Sequence, residues 1–295
     1  MALGLIFGTG AAGDGESLLS AFTKINNILS TTSKESTGDL NVNGIRVGTG
    51  GTGNILTCVA IGANALALNT SGSNSGIGYS ALSANTSGIN NTSVGSVSLP
   101  SNSIGSSNTA LGFGALYNAV SINNNTAIGN NSLSSNTLYS NCSGLGNESA
   151  ITASNQVQLG NSATTTYVYG TVQNRSDLRD KAEVRDTVLG LDFINELRPV
   201  DYKWDMREDY KTDQLDQIHN LTHDGTHIRS RFHHGLIAQE VQDVIQASGV
   251  DFGGFQDHSV GGGEDVLSIG YDELIAPMIK AIQELTARIN VLEGN

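Results

Sequence analysis

A short period governs the first half of this chain. An apolar residue followed by glycine recurs at Ile61-Gly62, Ile77-Gly78, Val94-Gly95, Leu111-Gly112, Ile128-Gly129 and Leu145-Gly146, first 16 and thereafter 17 residues apart. Leu66, Leu82, Leu99, Leu116 and Leu133 stand five residues after the first five of these apolar positions, and Asn74, Asn91, Asn108 and Asn125 stand three residues before four of them. A unit this small cannot bury its own apolar side chains, so it is stable only when stacked on its neighbours. The expected fold is a ladder of parallel β-coils, each holding two short strands, with glycine at the corners where a side chain would clash.

Charge divides the chain at the end of that ladder. Between residues 51 and 174 the sole acid or base is Glu148, whereas the residues after 174 carry 23 acids and 12 bases. Glycoside cleavage needs two carboxylates at a set separation, so a depolymerase site within the coils is not expected. A shallow sugar-binding surface of Asn, Ser, Thr and Tyr is compatible with them, although such groups more simply face water or form ladders. The net charge of −13 argues against nucleic acid and anionic membrane as partners. No run approaches 18 apolar residues, and Met1 to Phe7 lacks the features of a secretory signal.

Cys58 and Cys142 each lie three residues before an apolar-glycine pair, one at each end of the asparagine register. Coils stacked at ~4.8 Å would put them too far apart for a disulfide. A bridge between copies would require Cys58 to face a shared axis.

Ahead of the ladder, Ser17 opens an expected helix with Leu18, Phe22, Ile25 and Leu29 on a narrow seam. Residues 31 to 53 read as a linker with one short strand from Leu40 to Val47. Beyond the ladder the pattern becomes globular. Asp186 to Leu197 reads as a helix with Val188, Leu191, Ile194 and Leu197 on one face, stopped by Pro199. Val200 to Trp204 reads as a strand with Tyr202 and Trp204 on one side. Glu240 to Ala247 is a second helix and Val266 to Tyr271 another strand. The chain ends in a helix with a seam of Ile275, Met278, Ile282, Leu285, Ile289 and Leu292. His219, His223 and His227 are spaced as helical metal ligands would be, but Asp224-Gly225 is a hairpin signal that interrupts such a helix. They read as solvated residues, and neither metal nor cofactor is expected.

Between coils and globule lies Asn174-Arg175-Ser176-Asp177-Leu178-Arg179-Asp180-Lys181. This joint resembles the opening of the endosialidase-type intramolecular chaperone, the trimerising C-terminal domain of many phage tail fibres and tailspikes. Leu191 to Trp204, His234-Gly235-Leu236-Ile237-Ala238-Gln239-Glu240-Val241 and Tyr271-Asp272-Glu273-Leu274 are similar to further blocks of that family, in the same order. The resemblance implies one self-cleavage, after trimerisation, between Ser176 and Asp177, with Ser176 and Lys181 as the reacting pair. A lysine can serve as the base only if burial or a neighbouring cation lowers its pKa to roughly 7 to 8; Arg175 and Arg179 are candidates for that field. Attack by Ser176 on its own carbonyl would close a four-membered ring, so an acceptor on a neighbouring chain or a lysine-activated water is easier to picture. The plain alternative is that Ser-Asp caps a helical turn. The family also implies that the polar segment from Asp205 to Phe232 is an arm gripping the shaft of a neighbouring chain.

The coils of residues 54 to 160 are similar to the β-roll repeats of trimeric autotransporter heads and of phage fibre shafts. The expected protein is mainly β and homotrimeric. Residues 1–53 would be a virion-docking helix and linker, 54–175 a β-coil shaft, and 176–295 a small α+β chaperone domain ending in a coiled-coil-like helix. The implied role is a phage tail-fibre subunit assembled in the host cytoplasm, joined to a tail or baseplate protein at its N-terminus and to a host surface receptor, with a glycan as one candidate. At most it would perform a single autoproteolytic turnover. A cellular trimeric adhesin and a capsule-degrading tailspike are the alternatives.

Overall fold

The computed structural model describes residues 32–34, 39–42, 45–51, 56–213, 216 and 218–294. The expected N-terminal docking helix lies outside them. The segment expected to hold one strand from Leu40 holds two antiparallel ones, β2 (Leu40–Val42) and β3 (Ile45–Gly48), with β1 (Thr32–Lys34) beside β2. Strand β3 then pairs antiparallel with the first strand of the ladder.

That ladder comprises β4 (Val59–Ile61), β5 (Ser75–Ile77), β6 (Thr92–Val94), β7 (Thr109–Leu111), β8 (Thr126–Ile128), β9 (Ser143–Leu145) and β10 (Val157–Leu159). All six pairings are parallel, and Ile61 stands on Ile77, Ile77 on Val94 and Val94 on Leu111. The chain therefore coils on itself. Each coil carries one three-residue strand, not the two expected, because the rest of the coil turns through left-handed residues. Leu66, Leu82, Leu99, Leu116 and Leu133 all have φ between 47° and 52°. A branched residue there costs about 1–3 kcal/mol. Each of these leucines is almost wholly buried, and burial of such a side chain contributes about 1.5–3 kcal/mol. Strain at the corner is offset by the core it fills. The middle residue of each of the first six strands is small (Ala60, Gly76, Ser93, Ala110, Ala127, Gly144) and leaves room for these leucines; a Cβ on Gly144 would collide with Leu133.

The asparagines satisfy the interior backbone. Oδ1 of Asn74, Asn91, Asn108 and Asn125 accepts the amide N–H of the residue one coil on, Asn91, Asn108, Asn125 and Cys142 respectively. Cys58 begins the same register, its sulfur 3.4 Å from the Asn74 amide. Both cysteines are free and buried within their own coils. Cys58 thus faces no shared axis, which excludes the bridge between copies. A second ladder, absent from the sequence reading, joins Asn69, Asn85 and Asn102. It stops where the next coil has Ala119, and Oδ1 of Asn102 is left without a donor.

Asn108 shows what the first ladder is worth. Its amide also donates to the Ile122 carbonyl at 2.8 Å. An Asn108→Ala variant strands the buried Asn125 N–H and that carbonyl, and each unpaired group costs about 1–3 kcal/mol. We expect a loss of about 2–4 kcal/mol in chemical unfolding of the shaft.

After Leu159 the chain leaves the ladder, and residues 163–176 are exposed throughout. The globular part holds α1 (Leu191–Glu196), β11 (Val200–Tyr202), β12 (His233–Gly235), α2 (Ala238–Ser248), β13 (Phe255–Asp257), β14 (Leu267–Ile269) and α3 (Ile275–Glu293). Strands β11 and β12 form one antiparallel pair and β13 and β14 another. Tyr202 and Trp204 do share a side, with rings 5.0 Å apart. Helix α1 is much shorter than expected. It begins after Gly190, where a Cβ would strike the Glu284 carboxylate, and that carboxylate accepts the Leu191 N–H at 2.8 Å. Val188, expected on its buried face, is exposed, and Leu189 is buried instead.

The core is small: Leu189, Phe193, Val241, Phe252 and Leu274, with Ile194, Leu236, Val244 and Ile269 packed against them. Helix α3 turns Pro277 and Ala281 inward. Pro277 falls in its first turn, as the sequence requires. The seam from Ile275 to Leu292 points away from this core, every member at least 44% exposed.

Candidate functional site

The joint is organised by a single turn of 3-10 helix, Leu178–Asp180. Asp177 caps it, its carboxylate accepting the Arg179 N–H at 2.9 Å. The capping expectation therefore holds for Asp177. Because Ser176 precedes the turn and Lys181 follows it, the turn folds the two side chains together: Nζ of Lys181 donates to Oγ of Ser176 at 2.7 Å.

The arginines do not supply the cationic field expected of them. Arg175 pairs with Asp180 at 2.7 Å and Arg179 with Asp177 at 2.6 Å. The Arg179 guanidinium, with its backbone N–H, holds the Asp177 carboxyl below its usual range. Each positive charge near the lysine is thus matched by a negative one. Ser176, Arg175, Arg179 and Lys181 are all exposed. In this geometry the lysine ammonium is the donor and the hydroxyl oxygen the acceptor.

Several histidines make their contacts away from the joint. His233 packs against Tyr202 and Trp204, and His234 bonds across the strand pair to Asp201. His223 contacts Asp205 at 3.0 Å, and the His227 ring stands edge-on to Tyr210. Asp224 and Gly225 form a local turn, with Asp224 accepting from Thr226, but among the described residues no strand directly adjoins it as a tight hairpin would require.

Residues 176–250 match the family model of the chaperone of endosialidase. The match opens at Ser176, the residue that the turn brings to Lys181, and spans about a quarter of the chain. No curated protein matches the sequence. The chaperone region thus begins where the exposed connector ends, and the coil ladder lies wholly before it.

Sequence reasoning missed a group of residues that join the globular part to the coils and the chain just after them: His258, Gly263, Asp209 and Arg229. Their partners, Thr152, Gln156 and Ser162, are far away in sequence. Only the triplet Gly261-Gly262-Gly263 hinted at a close approach.

Proposed function

We propose that the chain is a subunit of a homotrimeric phage tail fibre for host attachment. Its chaperone region would align three copies and then cut the chain once, between Ser176 and Asp177. The observation that carries this reading is a pair of uncovered apolar faces on one chain. Ile61, Ile77, Leu111, Ile128, Leu145 and Leu159 stack on one side of the ladder and are 36–47% exposed, while the α3 seam is exposed at the other end. Both faces are linear and regular, as a surface matched to copies of itself would be. A stack of this kind slipped by one coil loses one rung of contact, so its energy distinguishes registers poorly. A globular region that associates in one way fixes the alignment.

Assembly also bears on the chemistry. Ser176 and Lys181 are close but exposed, and a lysine base requires burial or a neighbouring cation. Association of copies around the joint would supply the burial. Hydrolysis would then add water to the Ser176 carbonyl carbon, break its bond to the Asp177 nitrogen and leave a new amine on Asp177. In this role the β-coil shaft meets a host receptor, a glycan among the candidates. The N-terminal residues join a tail or baseplate protein, and the finished fibre resides in the virion after assembly in the host cytoplasm.

Denaturing electrophoresis with N-terminal sequencing tests the processing step. The wild type should release a fragment beginning at Asp177, and Ser176→Ala and Lys181→Ala should remain full length while keeping the same oligomeric mass. An uncut wild type, or fragments in both variants, contradicts the assignment.

A further inference from the structure

The exposed connector is not what holds the chaperone region against the shaft. Two sets of contacts join them directly. At the first, the Glu264 N–H donates to the Thr152 carbonyl at 2.6 Å. Gly263 lies so close that a Cβ there would collide with the Thr152 and His258 carbonyl oxygens. At the second, Ser162 donates to Asp209 at 2.8 Å, while Arg229 reaches both Asp209 and the Ser162 carbonyl. None of these residues lies within 163–176.

His258 sits at the centre of the first set. Nδ1 is 2.6 Å from Oγ1 of Thr152 and 3.3 Å from Nε2 of Gln156, and Nε2 is 3.1 Å from Oγ of Ser268. The Gln156 amide is oriented by two backbone donors, since Oε1 accepts the N–H groups of Thr152 and Ala153 at 2.8 and 3.1 Å. Its NH2 lies 3.1 Å from Oγ1 of Thr152 and 3.3 Å from Nδ1, a placement that suits an accepting Nδ1. A neutral ring with Nδ1 accepting and Nε2 donating to Ser268 satisfies all three contacts.

We infer that the last coil of the shaft is a docking surface that retains the chaperone region after the connector is cut, and that acid releases it by protonating His258. A second ring proton, on Nδ1, would turn an N–H toward the Gln156 NH2 and place a positive charge in the seam. Burial already depresses the pKa of this histidine, outweighing the Asp257 carboxylate on its own turn. Glu264 follows on the adjoining loop, where burial and then the charge of Glu264 push the Tyr139 phenol up to about 12. A cavity of about 770 Å³ borders the ring, with Glu148 on the coil and Glu208, Asp209, Asp213 and Lys211 opposite. The sign follows from linkage. Because the docked pKa lies below the free one, docking is fully present above the free value, about 6.5, and weakens as pH falls toward the docked value. Within that window each seam loses up to about tenfold in affinity per pH unit.

The inference rests on reading residues 176–295 as a separable chaperone, but not on self-cleavage. The test therefore uses full-length Ser176→Ala with the recognition sequence of an added protease placed within exposed residues 165–173. After cutting, the two parts should co-sediment at about pH 8 and separate at about pH 5. His258→Gln, which removes the titration, should co-sediment at both. Gly263→Val, which leaves His258 in place and obstructs the approach to Thr152, should separate at both, with circular dichroism checking that each variant is folded. Separation of the Ser176→Ala parent at the higher pH, its retention at the lower one, or the same acid response in His258→Gln would overturn the inference.

Discussion

A Gly112→Ala variant is expected to lose the cooperative unfolding transition of the shaft. Gly62, Gly78, Gly95, Gly112, Gly129 and Gly146 follow the strands with φ between 112° and 138°, a region that L side chains rarely adopt. They also stack directly on one another. A Cβ on Gly112 would stand closer than 3.0 Å to the Gly129 carbonyl oxygen and carbon. Both sides of that collision are backbone, held by parallel strand pairing above and below, so no flexible side chain can yield. Backbone strain of about 1–3 kcal/mol adds to the cost of prying two coils apart, and a total above about 4 kcal/mol puts the change among the most severe single substitutions. Gly170→Ala is the control. A Cβ there meets nothing within 4 Å, and its φ is ordinary, so its effect should stay within about 0.5 kcal/mol. Thermal melts followed by circular dichroism compare the two, and equal midpoints would refute the stacked-glycine account.

The ladder was largely legible because its constraints are local and repeated. An apolar-glycine pair every 17 residues, a leucine five residues later and an asparagine three before gave the parallel stacking, the buried leucines and the asparagine register. The second strand per coil was a misreading with a physical cause. Leucine disfavours left-handed backbone, so nothing in its identity announces that Leu99 or Leu116 turns a corner there; only burial in the stack makes that conformation tolerable. The short α1 was missed for a nonlocal reason. Its N-terminus is satisfied by Glu284 from the last helix, and the spacing of Val188 and Leu191 carries no trace of that contact.

At the joint, the likeness to the chaperone family placed Ser176 and Lys181 at one site, and the turn does bring their side chains into contact. The charge balance was misread, although Asp177 and Asp180 stand two and five residues from the arginines they neutralise. The His258 seam was out of reach, since its partners are more than a hundred residues away in sequence.

The second large effect concerns alignment. The shaft repeats itself, and its exposed apolar rungs are interchangeable; one coil further along, Ile77 meets what Ile61 would have met. The globular part is neither repetitive nor neutral, and under the proposed function its exposed α3 seam would associate in one way. Refolding from denaturant, followed by analytical ultracentrifugation and electron microscopy, compares the full chain with residues 1–175 alone. The account predicts that the full chain returns as one trimeric species of uniform length, whereas the truncated chain returns as single chains and staggered aggregates. Recovery of uniform, in-register trimers from residues 1–175 as readily as from the full chain would contradict it.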